Sequence, residues 1–138
     1  MSFDFGDYLN LAEALVNERG RLATEEACLR SAVSRAYYSV FILARDFTAT
    51  KEEEIADFDS KGKKLGSHER IIEHFKNSCD ARRQKIGLSL DRLREFRVQA
   101  DYYALMRNRH GGPLLLLPSA NFSVSEAKTL LSAIRSLP

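Results

Sequence analysis

From Thr24 to Phe47 neither proline nor glycine interrupts the chain, and apolar residues fall at Leu29, Ala32, Val33, Ala36, Tyr37, Val40, Phe41 and Ala44. This is the i, i+3, i+4 rhythm that puts a continuous apolar stripe along one side of an α-helix. A strand would need strict alternation instead. Thr24 is placed to cap the helix, and Glu25 and Glu26 follow in the first turn, where the helix dipole favours carboxylates. A helix with so long an apolar stripe must be covered by other helices, and the rest of the chain supplies them.

Phe5, Tyr8, Ala12, Leu15 and Val16 recur at helical spacing, with Gly20 as a stop. The charged stretch from Thr48 to Gly66 loses the rhythm and reads as a long exposed loop, its "KEEEIADFD" a solvated charge run. A third helix starts near Ser67 and buries Ile71, Ile72 and Phe75, with Cys79 one turn further. "DARRQK" reads as a basic connector. A fourth helix covers roughly Ile86 to Tyr103, with Leu90, Leu93, Phe96 and Ala100 inward. Residues 104–122 read as a second long loop. The last helix opens at Ser123, spaced with Glu126 as a capping box, and buries Val124, Ala127, Leu130, Leu131 and Ile134. There is no strand pattern and no internal repeat. The expectation is one all-α domain over residues 1–138, an up-down bundle of about five helices.

Composition narrows the function classes. The formal net charge is +2, too small for bulk attraction to nucleic acid, so any basic surface is local. The two dense basic patches are "ARRQK" and "RNRH". The opening "MSFDFGDYLN" lacks a basic leader region, and the longest aliphatic run, Leu114–Leu117, is far too short to span a bilayer. That run is expected to pack over the bundle or into a partner subunit. Cys28 and Cys79 stand far apart, which fits free buried thiols in a cytoplasmic protein. His68, His74 and His110 have no metal-ligand spacing, and His68 reads as a helix-start residue near the core edge. Neither a phosphate-binding glycine loop nor a nucleophile motif is present, and no cofactor is expected.

Two features exceed what a bundle needs. The second helix carries a further face, with Ser34, Tyr38, Ile42 and Arg45 beside Ser31, Arg35, Ser39 and Asp46. It reads either as a contact for another helix or subunit, or as a wider core stripe with the Tyr38 hydroxyl reaching solvent. On the fourth helix Arg94, Arg97 and Asp101 form one stripe, and Arg97 falls at the edge of the apolar face, where a solvated charge is out of place. An intrahelical ion pair would contribute only ~0.3–0.5 kcal/mol. The other reading is a guanidinium held by an aspartate and offered to a phosphate.

"AVSRAYYSVFILAR", followed by "SHERIIEHF" and "LREFRVQADYY", resembles the HEPN family of small helical domains, in particular a prokaryotic branch with S-R-A-Y-Y on its second helix and R-x-x-A-D-Y on its fourth. The resemblance spans roughly Phe3 to Tyr103. It implies an up-down bundle that dimerises. Many such domains are metal-independent endoribonucleases, often toxins or defence components paired with a small nucleotidyltransferase. Their active site is an arginine followed, after four to six residues, by a histidine. Arg97 matches the arginine, but Tyr102, Tyr103 and Ala104 stand where the histidine would be, and His110 lies too far along. Tyrosine, with a reference pKa of about 10, is a poor base, and Asp101 beside arginines is a weak proton acceptor.

The sequence therefore leads to a non-catalytic RNA- or nucleotide-binding or regulatory module of a toxin–antitoxin or defence system, a homodimer paired with a nucleotidyltransferase. Its expected site joins Arg97, Asp101 and Tyr102 of the fourth helix to Arg35 and Tyr38 of the second. The alternatives are an endoribonuclease using Arg97, Asp101 and Tyr102, and a purely structural helical dimer.

Overall fold

The computed structural model describes residues 2–138 as five helices: α1 (Asp7–Asn17), α2 (Glu25–Thr50), α3 (Ser67–Lys76), α4 (Ala81–Tyr102) and α5 (Leu116–Arg135). The described residues contain no strand, only isolated bridges between Phe58 and Lys64 and between Arg107 and Pro113. The protein is an all-α bundle, and no described helix is long and apolar enough to cross a membrane.

Helix α2 is the axis of the bundle and packs against α1, α4 and α5, while α3 packs on α4. Every residue of its expected stripe, Leu29 to Ala44, is buried. Leu9, Ala12 and Val16 of α1, Ile71, Ile72 and Phe75 of α3, Leu90 and Leu93 of α4 and Ala127, Leu130 and Ile134 of α5 close over it. Thr24 caps α2, its Oγ1 accepting the Ala27 N–H at 3.2 Å. Between α3 and α4 the backbones come close at Gly87: a Cβ there would stand 2.5 Å from the Lys76 nitrogen.

Three boundaries differ from the sequence reading, each for a local reason. Helix α2 runs past Phe47 to Thr50 because Thr48 is buried and donates its hydroxyl to the Arg45 carbonyl at 2.7 Å, so the loop covers 51–66 rather than 48–66. The "DARRQK" connector is the first turn of α4, with the Asp80 carboxylate accepting the Arg82 N–H at 2.8 Å. Helix α3 begins at Ser67 as expected, with the Gly66 N–H donating to Glu69 Oε1 at 3.4 Å. Helix α5 begins at Leu116, which shortens the second loop to 103–115. Pro118 stands in its first turn, where an N–H has no intrahelical acceptor, so the proline costs little. Ser123 and Glu126 are consequently not a capping box: Ser123 is buried in mid-helix, and Glu126 accepts the Ser89 hydroxyl at 2.7 Å.

The 51–66 loop is mostly exposed, as expected, but it is anchored at Glu53. Glu53 takes two hydrogen bonds from Arg83, at 2.7 and 3.0 Å, and one contact from His74 at 2.7 Å. These partners, the Arg83 hydrogen bonds foremost, hold its carboxyl down at about 2. Cys28 is buried as expected, but Cys79 is exposed, just beyond the end of α3.

Candidate functional site: an arginine–tyrosine cluster between α2 and α4

Arg97 is 6% exposed, on the face of α4 that meets α2. Its guanidinium carbon lies 5.4 Å from the Tyr37 ring centre, 5.3 Å from that of Tyr38 and 5.8 Å from that of Tyr102. Its one ion pair among the described residues, to Asp101 a turn later, is long at 3.6 Å. Its Nε has no hydrogen-bond partner among the described residues, and neither does the buried Nε of Arg94 one turn earlier. Two guanidiniums thus enter the helix interface with donors unused, where buried polar groups are normally satisfied.

The neighbouring side chains set the rest of the geometry. Asp101 accepts the Ser34 hydroxyl at 3.2 Å, which ties the end of α4 to α2. Arg35 stands 5.3 Å from the Tyr38 ring, as Arg97 does, and 4.9 Å from that of Tyr8. Tyr102 is 72% exposed and forms the outer aromatic edge. The last turn of α4 is clamped by Arg30 of α2, whose guanidinium donates to the carbonyls of Ala100, Tyr103 and Ala104 at 2.7 to 2.9 Å.

Arg97, Asp101, Tyr102 and Tyr38 do come together, and Arg35 joins them through the shared Tyr38 ring. Sequence reasoning missed Tyr37 and His68 as members of this group. As part of the α2 apolar stripe, Tyr37 reads as a core residue alone. Its ring is fully buried, yet its hydroxyl meets His68 Nδ1 at 2.6 Å. The signal was present, since a phenol in a core stripe needs a buried polar partner. His68, at the start of α3, stacks on Phe41 at 4.3 Å and lies parallel to Tyr37 at 5.7 Å. Burial lowers its pKa to about 4, helped by the charges of Arg97, Arg94 and Arg45, so the ring is neutral near neutrality. Burial likewise pushes the Tyr37 phenol well above its ordinary value, against the opposing pull of Arg94 and Arg97.

Only the rim of the cluster is open: Tyr102 is largely exposed, whereas Arg97 and the Tyr37 ring are buried. Depressions of about 650 Å³ beside Arg30 and Leu105, and of about 620 Å³ beneath the 51–66 loop, lie elsewhere and take none of its residues. No group of three or more His, Cys, Asp or Glu among the described residues is placed to hold a metal ion. Fixed guanidiniums beside aromatic faces suit an oxyanion joined to a planar group.

No family model, no curated protein and no solved structure matches the chain.

Proposed function

We propose that this chain is a HEPN-like, non-catalytic RNA- or nucleotide-binding module of a toxin–antitoxin or defence system, acting as a homodimer beside a nucleotidyltransferase partner. The observation that carries the reading is the Arg97 guanidinium, 6% exposed, ringed by three tyrosines and left with an unused donor. A buried cation with an unpaired donor brings little or no net stability. Its retention is understandable where the charge meets an anion. The exposed Tyr102 rim favours a strand laid across the surface over a nucleotide swallowed whole, with Tyr102 as a platform for a base. Tyr102, Tyr103, Leu105 and Leu115, each more than half exposed, offer apolar surface for the second subunit.

One observation favours a second reading, a metal-independent endoribonuclease. The histidine absent from α4 has a counterpart in His68, which α3 delivers beside Tyr37 with a neutral ring. A neutral imidazole can accept the 2′-hydroxyl proton while Arg97 meets the charge that builds on the phosphate. With so low a pKa it is a weak base, which places this reading second.

Labelled single-stranded RNA, incubated with the protein and a chelator, tests both. The first reading expects a rise in anisotropy with the RNA intact. Cleavage would transfer the assignment to the second reading, and no binding at about 100 μM protein would remove both. Light scattering is expected to give the mass of two chains, and a monomer at micromolar concentration contradicts the homodimer.

A further inference from the structure

Helices α4 and α5 leave a groove of about 430 Å³ on a side of the bundle that shares no residue with the arginine–tyrosine cluster. Ile86 and Leu130 form its floor and are almost fully buried, while Leu88 stands 55% exposed at its edge. Along the α4 wall run Arg82, Lys85, Ser89 and Arg92, spaced i, i+3, i+7 and i+10, which is one side of a helix. At 1.5 Å per residue this basic row is about 15 Å long.

The charges of the row are largely uncompensated. Among the described residues Arg82 pairs only with Asp80, two residues before it. Lys85 and Arg92 make no ion pair among the described residues, and Arg92 lies over the Phe122 ring at 4.8 Å. The one carboxylate lining the groove, Glu126, is engaged by the Ser89 hydroxyl at 2.7 Å. An apolar floor beside a straight row of cations is the complement of a helix with one apolar side and an acidic flank.

We infer that the α4–α5 groove is a docking site for an acidic amphipathic helix of a partner protein. The apolar side of that helix covers Ile86, Leu88 and Leu130, and its carboxylates meet Arg82, Lys85 and Arg92. The length of the row calls for about three turns of helix. A nucleic acid fits the groove poorly, because its floor is aliphatic and offers no free aromatic face for a base. The inference does not depend on what the arginine–tyrosine cluster binds.

The probe is a fluorescein-labelled model peptide of about 14 residues, with leucines along one side and glutamates flanking them. It is titrated against the full chain while backbone amide shifts are followed. The expected result is saturable binding, with shifts gathered on residues 82–92 of α4 and 126–133 of α5. Binding should weaken at least tenfold, by rough expectation for lost charge and apolar contacts, in Lys85→Glu/Arg92→Glu and separately in Leu88→Ser. All three residues are exposed, and circular dichroism confirms that each variant is folded. Absence of binding to the wild type, equal binding by the charge-reversed protein, or shifts centred elsewhere would each overturn the inference. So would single-stranded RNA that displaces the peptide and shifts the same amides, since the groove would then be a nucleic-acid surface.

Discussion

Arg97→Met removes the charge at the centre of the cluster while keeping most of the side-chain volume, and its effect on folding follows from the contacts. In the native protein the buried Nε without a partner costs ~1–3 kcal/mol. Against that, the Asp101 pair is 3.6 Å long and its carboxylate side chain is 27% exposed, so it contributes ~0–1 kcal/mol. The three aromatic rings lie 5.3 to 5.8 Å from the guanidinium carbon. That is close to the outer limit for a cation over a ring, so together they return roughly 1–3 kcal/mol. The terms nearly cancel. Methionine, which leaves no unsatisfied donor, should change the unfolding free energy by no more than about 1.5 kcal/mol in either direction. Urea denaturation followed by far-UV circular dichroism measures this, provided the dependence on denaturant is unchanged. A loss of about 3 kcal/mol or more would refute the reasoning, because it is what breaking a well-paired buried charge costs.

Three further outcomes follow from particular contacts. Gly87→Ala should destabilise the protein by ~1–3 kcal/mol in thermal melts despite the better helix propensity of alanine, because the new Cβ meets the Lys76 backbone at 2.5 and 2.9 Å; stabilisation would mean that α3 and α4 separate freely. Arg30→Ala should cost ~1.5–3 kcal/mol and remove hydrogen-exchange protection from the end of α4, since Arg30 binds the Ala100 carbonyl and those of Tyr103 and Ala104 just beyond the helix; unchanged protection would show that the helix end needs no clamp. His68 has a native pKa of about 4, below its reference value of 6.5, so the unfolded chain takes up its proton first as the pH falls. Its contribution is present above pH 6.5 and is lost progressively toward pH 4. The difference in stability between wild type and His68→Asn should therefore shift against the wild type across this window, and a constant difference would contradict the assignment.

The α2 stripe and the core positions of α3, and most of those of α4 and α5, were legible in the sequence because their burial follows helical periodicity, which is local information, although Phe96 and Leu131 are only partly buried. The helix ends were less so. Leu114–Leu117 read as loop between two prolines, yet its second half is the first turn of α5, where Pro118 is tolerated. Thr48 and the "DARRQK" stretch are polar and periodicity is blind to them, although backbone acceptors and caps draw both into helices. In the cluster, Arg97, Asp101 and Tyr38 could be found because each is a polar or aromatic residue off its expected face. The meeting of Tyr37 and His68, thirty-one positions apart, depends on where α3 lands against α2, and no local pattern encodes that.

The central claim is that the Arg97 cluster is an anion-binding surface of a folded helical module. The affinity of Arg97→Met for labelled single-stranded RNA, measured by anisotropy beside the wild type at one low ionic strength, tests it most directly. The variant should keep its fold and bind roughly tenfold or more weakly, the equivalent of losing one charge-assisted contact. Equal affinity for the two proteins would contradict it.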